Sequence, residues 1–170
     1  MDAATVNEAR LMGDSATVER TSDRELVVAR TVKGPARLVF EAWTNAELFK
    51  QWWVPKSYPI TLLSCEMDAR VGERYRLVFG YEGSTMEFFG RYLEVTPHSR
   101  LVWTNDEAEG EQITTVTFEE TDAVTLVTVH ELYASKEALD AEIASGSAGI
   151  YAMPESLQQL EDLLATMDAA

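Results

Sequence analysis

SAGIYAMPESLQQLEDLLATM, Ser147 to Met167, is the stretch that decides the fold. Ile150, Met153, Leu157, Leu160, Leu163, Leu164 and Met167 recur in it at three- and four-residue spacing, while Glu155, Gln158, Gln159, Glu161 and Asp162 fill the opposite sector. Side chains so spaced share one side of an α-helix, and the pattern predicts an amphipathic helix of about 20 residues, ~30 Å long. A stripe of that length must be buried, and the strand-rich segment from Glu25 to Glu131 is the partner the chain offers. Pro154 has no N–H to give and predicts a kink or a restart within the helix.

Outward from that helix, Glu25 to Val32 is a β-rich run ending at Gly34-Pro35. Pro35 suits the first position of a helix, where its missing N–H would have no partner. Ala36 to Trp43 follows as a short helix with Leu38, Val39, Ala42 and Trp43 on its apolar side. Thr44-Asn45-Ala46-Glu47 has the form of a capping box and predicts a second short helix through Trp52, stopped near Pro55. Strands are then expected at Ile60 to Cys65, Glu73 to Tyr81, Met86 to Val95, Arg100 to Asn105, Ile113 to Phe118 and Val124 to Glu131. The turns between them, such as Glu82-Gly83-Ser84 and Glu119 to Asp122, are short enough to make an antiparallel meander. Ser135 to Ala144 reads as a short helix before the long one. This order gives an α+β fold: a curved antiparallel sheet around a long C-terminal helix, with two short helices after the first strand. Residues 1–23 are polar and Ala-rich without a period. They are expected to form a flexible N-terminal arm in which Thr17 to Arg20 can add an edge strand, with 24–170 as a single domain.

The chain of 170 residues is long enough to bury a core without metals or disulfides. Its 14 basic and 29 acidic side chains leave a formal charge of −15, which repels phosphate backbones and anionic lipid surfaces. Neither nucleic acid nor membrane is expected as a partner, and a solvated surface is the simplest account of the acidity. No apolar run approaches the ~20 residues needed to span a bilayer. The start, with Asp2, Glu8 and Asp14, lacks the basic and apolar regions of a secretion signal. Cys65 is the one cysteine, so no internal disulfide and no C-x-x-C motif exist. A cytoplasmic location is the expectation.

No catalytic residue can be assigned. His98 and His130 are the only histidines. His98 follows Pro97 in a turn and reads as solvated. Period-2 counting places Leu126, Thr128 and His130 on one face of the last strand; on the concave side, His130 would offer a hydrogen-bonding group to the interior. The plainer reading is a histidine satisfied by a backbone group or by Glu131. There is no G-x-S-x-G, no Gly-rich phosphate loop and no cluster with metal-ligand spacing, so neither cofactor nor metal is expected. Cys65 sits in an apolar strand context, Asp106-Glu107 and Glu119-Glu120 fall in turns, and Asp68 with Arg70 reads as an ion pair bracing a turn. Aromatic residues are the remaining signal. A curved sheet gripping a helix leaves a space walled by rings with a few polar tips, as small-molecule pockets usually are. The candidate lining is Trp53, Tyr75, Phe79, Tyr92, Trp103, His130, Tyr151 and Met153.

Pro35 to Pro55, PARLVFEAWTNAELFKQWWVP, resembles the signature of the activator-of-heat-shock-protein-90-ATPase-like branch of the START/Bet v 1 superfamily. Agreement extends to CEMDARVGERYRLVF at Cys65 to Phe79, FGRYLEVTPHSRLVWT at Phe89 to Thr104 and ESLQQLEDLL at Glu155 to Leu164. Gly72-Glu73 stands where the family has paired glycines. The resemblance implies the helix-grip architecture, often with a cavity between sheet and helix. It makes a small apolar or amphipathic ligand the first functional expectation. Two alternatives follow from it: an enzyme of the polyketide cyclase type using His130 with Tyr75 or Tyr92, and a partner of the heat-shock protein 90 chaperone. It also implies pairing into a homodimer.

Overall fold

The computed structural model describes residues 16–108, 110–145 and 149–167, the side chains of 149–151 excepted. Its elements in chain order are β1 (Thr17–Ser22), β2 (Glu25–Lys33), α1 (Ala36–Thr44), α2 (Ala46–Trp52), β3 (Thr61–Met67), β4 (Arg74–Tyr81), β5 (Ser84–Thr96), β6 (Arg100–Thr104), β7 (Ile113–Thr121), β8 (Val124–Leu132), α3 (Lys136–Ser145) and α4 (Gly149–Leu164). The strands form one antiparallel sheet in the order β1-β2-β8-β7-β6-β5-β4-β3. Only the β2-to-β3 connection leaves the meander, and α1 and α2 lie within it. The helix-grip α+β fold expected from the sequence is the fold observed.

Two hairpins turn on residue pairs with positive φ. Glu82-Gly83 (φ 48° and 80°) joins β4 to β5, and Asp122-Ala123 (φ 52° and 63°) joins β7 to β8. Two left-handed residues in a two-residue loop match the right-handed twist of the flanking strands. At 13 residues β5 is the longest strand: its first half pairs with β4, its second with β6, with a register shift between Tyr92 and Glu94. An irregularity of this kind bends a strand and lets the sheet curve. Beside it the chain comes so close that a Cβ on Gly90 would fall inside the van der Waals shell of the Thr104 carbonyl oxygen.

Across the concave face, register places Val18, Val28, Val129, Val116, Leu101 and Val95 side by side on successive strands. All belong to the core, and Met153, Leu157, Leu160 and Leu164 of α4 are buried in the same cluster. The predicted helical stripe is thus the buried side of α4, which packs on β2, α1 and α2. Ile150 of that stripe has no described side chain.

Several local expectations change. α4 runs without a break through Pro154, which lies in its second turn, so at most one intrahelical bond near the helix start is forfeited. Pro35 is the N-cap of α1, and the carboxylate of Glu120 accepts the Ala36 N–H at 2.7 Å. Glu119-Glu120 therefore lies at the end of β7 and not in the turn that follows, and Glu120 supplies a helix cap. Asn45, rather than Thr44, caps α2 by accepting from Leu48 N–H, while the Thr44 hydroxyl donates to Phe40 O at 2.8 Å. Of the expected arm, residues 1–15 lie outside the described residues, and Thr17–Ser22 is a strand paired with β2.

Gln159 was expected on the polar side of its helix, yet it is buried. Its Nε2 donates to Trp52 O and Val54 O at 3.0 and 2.9 Å, and its Oε1 accepts Lys56 N–H at 2.8 Å. Ser156 adds a bond to Trp53 O at 2.7 Å. These bonds satisfy backbone groups in the segment that leaves α2 and fix it against α4.

Candidate functional site

Alternation along β4, β5 and β6 turns Tyr75, Leu77 and Phe79, then Tyr92, then Leu101 and Trp103 toward the concave side. The α1–α2 pair brings Trp43, Phe49, Trp52 and Trp53 over the same side. The rings meet in a continuous wall. Trp43 lies 5.7 Å from Trp53 and 6.0 Å from Trp103, and Trp103 lies 6.3 Å from Tyr75 and 6.4 Å from Tyr92 between ring centroids. Most pairs are edge-to-face, the arrangement favoured by aromatic quadrupoles. Phe79 continues the wall to Phe88 at 5.2 Å. Met86 and Phe88, each 41% exposed, carry it out to solvent at the β4–β5 hairpin.

Where the wall ends, the concave side becomes polar. Tyr75 Oη donates to Thr104 O at 2.7 Å, and Asn105 Nδ2 donates to Thr114 Oγ1 at 2.9 Å. Thr114 stands opposite Glu131 in register. Tyr133 Oη donates to Glu131 Oε2 at 3.0 Å. Burial raises the pKa of the Glu131 carboxyl, opposed by the Tyr133 hydrogen bond and reinforced by the nearby Glu142 and Glu107. Burial likewise pushes the phenols of Tyr75 and Tyr92 well above their usual range, so both remain proton donors. Cys65, partly buried opposite Leu77 on the same face, has its thiol pushed up to about 11 by burial, which suppresses the reactive thiolate.

Of the eight candidate lining residues, Trp53, Tyr75, Phe79, Tyr92, Trp103 and Met153 all belong to one apolar cluster between sheet and helices. Tyr151 lies in α4, and its side chain is outside the described residues. His130 is not brought to them. It does share a face with Leu126 and Thr128, but Thr125, Val127 and Val129 are the buried side of β8, so that face is the outer one. There His130, its side chain 33% exposed, lies with Nε2 2.6 Å from Glu25 Oε2. The sheet therefore stands between His130 and Tyr75 or Tyr92, and an acid/base pairing of the histidine with the tyrosines has no geometric basis. The partner expected for it, Glu131, faces the other way.

Trp43, Asn105, Thr114, Glu131 and Tyr133 stand at this site without being in the candidate lining; of these, Trp43 was expected as a core residue of its helix and Glu131 as a partner of His130. Glu131 and Thr114 were legible in principle, being in alternation with Val129 and Val116. Asp68 and Arg70 form a bidentate ion pair in an exposed turn, as expected for a brace. Among the described residues no group of three or more His, Cys, Asp or Glu side chains could hold a metal ion. No described helix is long and apolar enough to cross a membrane. A surface cleft of about 520 Å³ includes Glu66, Arg74, Arg76, Glu87 and Phe89. Their alternation with Tyr75 and Leu77 puts it on the outer side of the sheet, where the Arg76–Glu87 ion pair spans it at 2.6 Å.

The family model described as activator of Hsp90 ATPase homolog 1-like protein matches residues 33–165. A crystal structure of a Nitrosomonas europaea protein shares 25% identity, covering 87% of this chain and 98% of that one at a TM-score of 0.74. A Rhodobacter sphaeroides protein superposes with a TM-score of 0.77 at 21% identity, covering 90% of this chain and 99% of that one. The solution structure of an AHSA1-like protein from Aeromonas hydrophila gives 0.62 at 14% identity, covering 82% and 92%. These likenesses speak for the fold. No curated protein matches the chain.

Proposed function

This chain belongs to the activator of Hsp90 ATPase homolog 1-like family, and we propose that it binds a small apolar or amphipathic molecule between its sheet and its C-terminal helix. The observation that supports this reading is the continuous ring wall, from Trp53 through Trp43 and Trp103 to Tyr75 and Tyr92. It combines apolar faces with polar tips at one end, as ligand sites do. The apolar body of the ligand lies along the rings. Its polar end faces Tyr75, Asn105 and Glu131. The exposed side chains of Met86 and Phe88 offer an apolar approach from solvent.

Titration with N-phenyl-1-naphthylamine, a neutral fluorophore that accepts energy from tryptophan, tests the reading. Saturable one-to-one binding with quenching of tryptophan emission is expected, weakened about tenfold or more in Trp103→Leu. Non-saturable binding, or equal binding by the variant, would overturn it.

A further inference from the structure

Trp43 is 2% exposed, and its indole Nε1–H finds no hydrogen-bond acceptor among the described residues. Buried donors are nearly always paired, so an exception requires a physical reason. The neighbouring indole shows what the same pair of helices can do: Trp52 Nε1 donates to Ala42 O at 2.9 Å. What surrounds Trp43 instead is carbon. The rings of Phe49, Trp52, Trp53, Trp103 and Phe118 have centroids 4.7 to 6.4 Å from it. Ring faces are weak acceptors of N–H. Trp53 and Trp103 are also wall residues of the proposed ligand space.

We infer that the molecule held between sheet and helix carries a neutral oxygen acceptor, a ketone, ester, amide or ether, that receives the Trp43 Nε1–H. This rests on the binding reading above and specifies the ligand class. A neutral acceptor fits better than a carboxylate, because the rings around Trp43 offer no cation to a buried anion. Arg30, a cation on the same side of the sheet, is engaged by Gln158 and Glu161 of α4. The acceptor sits at Trp43, part-way along the molecule, with hydrocarbon stacked on Trp53 and Trp103 to either side and the polar end beyond it toward Tyr75.

The test uses near-isosteric pairs that differ by one carbonyl: 1-indanone with indane, and 2-acetylnaphthalene with 2-ethylnaphthalene. Affinities for the whole chain and for Trp43→Phe are compared as ketone-to-hydrocarbon ratios. The ratio is expected to fall about tenfold in the variant, the worth of one hydrogen bond, while any loss of ring contact lowers ketone and hydrocarbon affinities alike and cancels in the ratio. In the unmodified protein, the Trp43 signal among the four indole N–H resonances should move downfield with ketones and not with hydrocarbons. Its contact with Phe118 assigns it, so this readout stands even where Trp43→Phe does not fold. An unchanged ratio in a folded variant, or an indole signal that ignores the carbonyl, overturns the inference and leaves the binding reading intact. Failure of all four compounds to bind overturns both.

Discussion

Arg30 of β2 and Glu161 of α4 form a buried ion pair, Nη2 to Oε1 at 3.3 Å, with side chains 1% and 15% exposed. Gln158 accepts from the same guanidinium at 2.8 Å, and the second Glu161 oxygen accepts Lys33 N–H at 2.9 Å. Removing one partner strands the other charge. Glu161→Ala should therefore cost about 3–5 kcal/mol in chemical denaturation, whereas Arg30→Met combined with Glu161→Leu should recover most of the loss. A single variant within about 1 kcal/mol of the parent would show that the pair does not hold the helix down.

Gly90 allows β5 to pass against the Thr104 carbonyl, and the neighbouring Arg91 N–H bonds Thr104 Oγ1 at 3.0 Å. A methyl group there collides with backbone, which cannot rotate away. Gly90→Ala is expected to destabilise by ~3 kcal/mol or more, lowering the melting temperature by roughly 6–12 °C. A melting temperature equal to that of the parent would mean that the strands part easily.

Ala123 occupies the second position of its hairpin turn at φ 63°, a conformation that crowds an L side chain. The equivalent place in the β4–β5 hairpin is filled by Gly83. Ala123→Gly should stabilise by about 1 kcal/mol, relief of strain outweighing the added freedom of the unfolded chain. A loss of stability on equilibrium unfolding would refute the strain assignment.

Glu131 holds its proton more tightly in the fold than in the unfolded chain, because burial disfavours its charge; Glu142 and Glu107 act in the same sense, and Tyr133 and His130 in the opposite one. Its contribution is thus fully present below the unfolded-state pKa and is lost as pH rises through the higher folded-state value. Glu131→Gln keeps the shape without the charge. It should match the parent at acidic pH and exceed it by ~1–2 kcal/mol at neutral pH. Parallel stability profiles from about pH 5 to about pH 8 would mean that the carboxyl is freely hydrated.

The architecture was legible because its decisive elements are periodic. Met153, Leu157, Leu160 and Leu164 had to share a helix face, and Tyr75, Leu77 and Phe79 a strand face. What periodicity cannot give is the choice between two faces when both are partly apolar. In Val124–Leu132 the outer side carries Leu126 and the inner side Val127 and Val129. Counting therefore grouped His130 correctly, yet left open which way it points. Gln159 escaped for a different reason: its partners are backbone groups of residues 52–56, more than 100 positions away, and composition does not announce them. The orphaned indole of Trp43 was equally invisible, since an unmet hydrogen bond is a property of the packed state alone.

β2 lies between β1 and β8, so residues 25–33 find their second neighbour only at residues 124–132. During synthesis the meander from β3 onward can zip up locally, each strand beside the one just made. β2, with its Leu26, Val27 and Val28, must wait for β8 to leave the ribosome. Closing so large a loop late makes assembly slow and leaves a sticky, half-paired ribbon exposed in the meantime. For this chain the hazard of misassembly is concentrated in β2 and lasts until β8 has been made.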